Sequence, residues 1–150
     1  MKYSSFLMAV GCLGIAVMAG ATQASDIRDR NGFNAGRIDQ DGILHDRDGF
    51  VAGRIEQDGS LRDRDGFSAG NMDRDGILHD RDGFVAGHMD QDGTVYDRNG
   101  FIAGRMDQDG SLHDRDGFSA GRIDRNGAEG SFSEADRTAG ALILLKRLPQ

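Results

Sequence analysis

Asp46-Arg47-Asp48-Gly49-Phe50-Val51-Ala52-Gly53-Arg54-Ile55-Glu56-Gln57-Asp58-Gly59-Ser60-Leu61-Arg62 is one period of a 17-residue repeat. Six copies begin at Asp29, Asp46, Asp63, Asp80, Asp97 and Asp114, and the sixth decays after Gly127. A fixed period of this length marks a repeat architecture, in which each unit needs its neighbours to bury its apolar face. Each unit holds two Asx-Gly signals, and these punctuate a chain of hairpins. The segments between them, such as Phe50–Ile55 and Ser60–Arg62, are too short for stable helices. Two short strands per unit is the economical reading.

Pairing fixes the register. If Asp58-Gly59 alone formed a two-residue turn, Ile55 would face Arg62 and Glu56 would face Leu61. If Gln57-Asp58-Gly59 form a three-residue loop with a left-handed Gly59, Glu56 meets Ser60 and Ile55 meets Leu61. Only the second register gathers the apolar residues on one face. The same loop at Arg64-Asp65-Gly66 pairs Asp63 with Phe67, and Leu61 with Ala69. Met72 lies three residues beyond Ala69, out of phase with it. A bulge at Gly70 restores phase and is expected to turn Phe67, Ala69, Met72 and Leu61 towards one core.

The units stack as an open solenoid or close into a ring, and closure removes exposed edges. Asp26-Ile27-Arg28 matches the short strand of a unit whose first half is missing. Gly121-Arg122-Ile123-Asp124 is a long strand whose short partner is degraded. Pairing of these two segments would close the ring. The expected fold is therefore all-β: a radial, propeller-like ring of short antiparallel hairpins built from 17-residue repeats.

Both ends of the chain depart from the repeat. Met1–Ser5 carries one positive side chain, Phe6–Met18 is apolar, and small-x-small sites end at Ala21 and Ala24. That is the pattern of a bacterial secretory signal peptide. The apolar stretch is short for a span of ~20 residues, and polar Thr22-Gln23 follows it at once. Cys12 is the only cysteine, so a mature chain cleaved after Ala21 or Ala24 has no disulfide. Ala9-Val10-Gly11-Cys12 loosely matches a lipobox, and a membrane is an expected partner only if Cys12 is lipidated. At the other end, Ser131-x-x-Glu134 is a capping signal. Ala139–Leu145 is the most apolar stretch of the mature chain, and it suits either a terminal helix or a strand buried on both faces. Either way it should cap or plug the array, with Lys146-Arg147 marking its exit to solvent. The expected division is a signal peptide at 1–24, a β-repeat domain at 25–127 and an apolar C-terminal segment at 128–150.

The 17-residue spacing, the Asp-Gly turn, the Gly-x-Ile step and the apolar tail resemble the five-fold β-flower proteins, which are small exported bacterial proteins. The matching stretch is Asp65-Gly66-Phe67-Ser68-Ala69-Gly70-Asn71-Met72-Asp73-Arg74-Asp75-Gly76-Ile77-Leu78, and the likeness covers residues 26–148. It departs at the residue before the second Gly, where Ala replaces Ile, and in copy number. The resemblance implies a radial ring of β-hairpins and implies no known activity.

Charge and motifs restrict function. Net charge is −7. Loss of the leader removes one basic residue and no acidic one, giving −8 and no basic patch, so nucleic acid is a poor partner. The Asp-rich loops fail as EF-hands, because Leu44 or Arg37 falls where the first Asp ligand is needed. Asp also favours turns through its own hydrogen bonds. Calcium held between loops stays as the alternative reading, a calcium-dependent secreted module. Arg30, Arg47, Arg64, Arg81, Arg98 and Arg115 recur beside Asp, and are expected to form a ring of surface ion pairs. Such a ring also offers a polymeric or cell-surface ligand many equivalent contacts. His45, His79 and His113 recur at one offset, but each follows an inward Leu and should face outward, away from any shared metal. No catalytic triad, HExxH or phosphate loop is present. The reading is an exported, non-enzymatic structural or binding protein, periplasmic or secreted, with no catalytic, metal or cofactor residues assigned.

Overall fold

Asx-Gly turns divide the chain into strands of four or five residues, and a last strand of seven. The computed structural model describes residues 24–126 and 131–147. The signal-peptide reading, Cys12 and the domain boundary near Gly127 lie outside the described residues. The strands are β1 (Ser25–Asp29), β2 (Asn34–Ile38), β3 (Ile43–Asp46), β4 (Val51–Ile55), β5 (Ser60–Asp63), β6 (Ser68–Met72), β7 (Ile77–Asp80), β8 (Val85–Met89), β9 (Thr94–Asp97), β10 (Ile102–Met106), β11 (Ser111–Asp114) and β12 (Ser119–Arg125). Each pairs antiparallel with its sequence neighbours, and β1 pairs with β12, so the sheet closes into a barrel without edges. The closing seam sets Asp26, Ile27 and Arg28 opposite Asp124, Ile123 and Arg122.

The three-residue loop stands as expected. Glu56 N–H donates to the Ser60 carbonyl at 2.8 Å, and Gly59 N–H donates to the Glu56 carbonyl at 3.0 Å. Gly59 is left-handed at φ +87°, and Ile55 sits opposite Leu61. The other turn uses the same bonds, with Asp63 N–H donating to the Phe67 carbonyl at 3.0 Å. Six cross-strand apolar pairs then ring the interior: Ile38–Leu44, Ile55–Leu61, Met72–Leu78, Met89–Val95, Met106–Leu112 and Ile27–Ile123. All twelve side chains are buried.

The bulge differs from the expectation by one residue. Leu61 faces Gly70, not Ala69, and Arg62 faces Ser68, so Ala69 is the extra residue. Gly70, at φ +136°, takes the inward site beside Leu61. Its lack of a side chain lets the His79 backbone approach. Phe67 does not join the core. Strand β6 begins at Ser68, so Phe67 stands on the rim at the end of the wall and is 70% exposed. Ala69 packs against the core in its place.

The apolar tail is helix α1 (Glu134–Leu144), not a strand. Its N-cap is Ser133 and its capping partner Asp136, two residues later than the expected Ser131–Glu134 pair. Ser133 N–H donates to Asp136 Oδ2 at 3.0 Å, and Asp136 N–H donates to Ser133 Oγ at 3.1 Å. The helix runs inside the barrel against β10, β11 and β12. Gly140 permits the close approach, since a Cβ there would lie 2.7 Å from Met106 Sδ. Lys146 turns left-handed at φ +55° and ends the helix, and Lys146 and Arg147 are exposed.

Candidate functional site

The barrel has two rims of different chemistry. One is built from the Asp-Arg-Asx-Gly-Phe turns. In all six, the first Asp turns its Oδ1 onto the backbone. Asp46 Oδ1, for example, accepts from Asp48 N–H at 2.9 Å and Phe50 N–H at 3.0 Å. The same two bonds recur at Asp29, Asp63, Asp80, Asp97 and Asp114. These aspartates make Asx turns, which account for them without a cation. The expected ring of ion pairs is not formed: among the described residues, none of Arg30, Arg47, Arg64, Arg81, Arg98 and Arg115 lies within 4.0 Å of a carboxylate. The first Asp of each turn spends an oxygen on the turn backbone, and the arginines are exposed. Beside them stand Phe33, Phe50, Phe67, Phe84, Phe101 and Phe118, exposed by 69–72%.

The outer wall carries the ion pairs. Each joins a carboxylate at the start of an acidic loop to a basic side chain two residues before it or on the neighbouring strand. Arg62 Nε meets Glu56 Oε1 at 3.0 Å, and Arg28 Nε meets Asp124 Oδ2 at 2.9 Å. His45, His79 and His113 face outward, as expected. They meet Asp39, Asp73 and Asp107 at 2.8, 3.5 and 3.1 Å. The three histidines stay apart, and among the described residues no three His, Cys, Asp or Glu side chains group as metal ligands. His88 stacks on Tyr96 at 4.5 Å.

The second rim is acidic. Its loops, residues 39–42, 56–59, 73–76, 90–93, 107–110 and 124–126, hold eleven carboxylates and two arginines. Several of these carboxylates are lowered from their ordinary value by backbone donors. Ser60 N–H donates to Asp58, Thr94 N–H to Asp92 and Ser111 N–H to Asp109, each at 2.9 Å. Asp73 is lowered chiefly by Ile77 N–H, also at 2.9 Å.

Because α1 leans on one wall, it leaves a cavity of about 660 Å³ at this acidic mouth. Ile38, Ile55, Met72 and Met89 form its floor, and Ser133–Thr138 form one side. Asp136 is 5% exposed and Thr138 is 3% exposed. Thr138 Oγ1 donates to Met72 Sδ at 3.1 Å. Arg137 is tied back to the Asp90 carbonyl at 2.9 Å. A smaller cavity of about 480 Å³ lies at the other rim, beside Leu61, Leu78, Leu142 and Arg147.

The chain was compared with protein-family models, curated proteins and solved structures, and no match was found in any of the three. Function therefore rests on the two rims. Reading the turns from sequence found their geometry and missed what they display. The signal was available, since each Phe directly follows a turn glycine and so sits at a strand's outer end. The acidic mouth was also missed. Its signal is the charge difference between the two loop series, ten carboxylates with six arginines on one rim against eleven with two on the other.

Proposed function

We propose that this chain is an exported, non-enzymatic binding protein, a β-flower of six hairpin units, whose phenylalanine rim holds a repeating polymer. The observation that carries this reading is the set of six phenylalanines, each about 70% exposed, interleaved with six arginines that have no ion-pair partner among the described residues. An aromatic face packs on the C–H face of a sugar ring, and guanidinium and carboxylate groups hydrogen-bond its hydroxyls. Neighbouring units are two strands apart, at least about 10 Å along the rim, roughly the length of a disaccharide. Six weak equivalent sites give avidity without any single deep pocket. A polysaccharide of the cell surface or its surroundings fits an exported chain with this rim.

Even spreading of chemistry over six units argues against catalysis. Ser133, the hydroxyl nearest a carboxylate in the mouth, donates to Asp136 at 2.8 Å as a helix cap.

The test is co-sedimentation with insoluble cellulose, chitin and peptidoglycan. The protein should be retained on at least one, and retention should fall steeply as Phe50, Phe67 and Phe84 are replaced by Ala one after another. Retention on none of them, or retention indifferent to the three replacements, would overturn the reading.

A further inference from the structure

The barrel wall is nearly six-fold, but the cavity at the acidic mouth occurs once, because one helix fills the interior off centre. Its floor is apolar and soft, with two aliphatic and two thioether side chains. Its volume, about 660 Å³, suits a ligand of drug size. Its lining carries seven carboxylates against two guanidiniums. Among those carboxylates, Asp39 and Glu56 are matched by Arg37 and Arg62 on the outer wall. Asp41, Asp75 and Glu134 have no ionic partner among the described residues.

Asp136 is different in kind from the rim acids. It is nine-tenths buried and lines the cavity. Its Oδ2 accepts from the Ser133 backbone N–H and hydroxyl, while its Oδ1 receives no donor among the described residues. Next to it, the Thr138 hydroxyl spends its proton on a thioether, a weak acceptor, and keeps its lone pairs free. A carboxylate beside an apolar cavity floor favours a cation as its counter-charge.

We propose that the acidic mouth binds one amphiphilic organic cation, with an ammonium head at Asp136 Oδ1 and the Thr138 hydroxyl and an apolar body on Ile38, Ile55, Met72 and Met89. The surrounding acids draw the cation in and repel anions of the same shape. The arrangement rejects small inorganic ions, because they leave the floor empty, and rejects neutral lipids, because they leave Asp136 unmatched. This site is separate from the phenylalanine rim, at the opposite end of the barrel.

Calorimetric titration of the full chain with decylammonium, decanoate and methylammonium, all below micelle formation, tests it. Decylammonium should bind with a stoichiometry of one, and at least about tenfold tighter than either control. The Asp75→Asn/Glu134→Gln double variant alters two exposed groups that hold no packing. It should keep the melting temperature while weakening the ammonium about tenfold. Asp136→Asn should weaken it further if circular dichroism shows the helix intact, and the double variant decides the matter if it does not. Equal affinity for decanoate, a stoichiometry near six, or binding unchanged in the double variant would overturn the proposal.

Discussion

Arg28 Nε lies 2.9 Å from Asp124 Oδ2, although 96 residues separate them in sequence. Arg62 and Glu56, six residues apart in one hairpin, meet at 3.0 Å in the same arrangement. The first and last strands therefore close the barrel with the bridge that other units make internally. The bridge marks the seam without holding it, since both side chains are partly exposed and ion pairs of that kind contribute about 0–1 kcal/mol. The seam's strength lies in Ile27 against Ile123, both buried.

Arg28→Ala should thus cost less than about 1 kcal/mol, while Ile27→Ala should cost about 2–5 kcal/mol. Urea unfolding followed by far-UV circular dichroism measures both. Equal losses would mean that the charged bridge, and not the apolar pair, closes the ring.

The two left-handed loop glycines separate backbone strain from crowding. Gly66, at φ +86°, has open space where a Cβ would go. Gly59, at φ +87°, is pressed against the Met72 carbonyl of the next unit, and Met72 N–H donates to the Gly59 carbonyl at 2.9 Å. Gly66→Ala should cost about 1 kcal/mol, and Gly59→Ala clearly more, because strand β6 must move away from the loop. The same denaturation series compares them, and a Gly66→Ala loss equal to that of Gly59→Ala would contradict this division.

Leu61 and Phe67 make a second contrast. Leu61 is buried opposite Ile55, so Leu61→Ala should cost about 2–5 kcal/mol. Phe67→Ala should change stability by no more than about 0.5 kcal/mol, because it touches no core. A large loss at Phe67 would place the ring in the interior and remove the exposed rim.

The contrast also marks what the sequence made legible. The loop length and the Ile55–Leu61 pairing follow from side-chain period alone, since a one-residue slip exposes every apolar residue. Closure was readable because Asp26–Arg28 and Gly121–Asp124 are complementary half-units. Phe67 was misjudged because period-two reasoning assumes a wall on both sides, and a residue at the rim has none. Ala69 and Gly70 exchanged roles because a bulge shifts phase by one position, and both small residues accommodate it. The cavity at the acidic mouth was out of reach for a different reason. It depends on where the helix leans, which Gly140 and the barrel diameter decide together, and no repeat pattern encodes that.

Acid should loosen the barrel through the acidic-rim turns. Asp58, Asp92 and Asp109 have carboxyl groups lowered from 3.8, chiefly by the backbone N–H of Ser60, Thr94 and Ser111. Each carboxylate accepts that bond more strongly when ionised, so the folded state binds its proton less readily than the unfolded chain. A lowered folded-state value means the stabilisation is complete above the unfolded value, and is lost as pH falls through it towards the folded value. The melting temperature should accordingly be flat from pH 7 to about pH 5 and decline below about pH 4. The Asp58→Asn/Asp92→Asn/Asp109→Asn variant should melt lower at pH 7 and show a shallower decline in acid, since three of the titrating groups are gone. Melts from pH 7 to pH 2 by circular dichroism read both effects. A variant as steeply acid-sensitive as the parent would mean that these loop carboxylates do not couple protonation to folding.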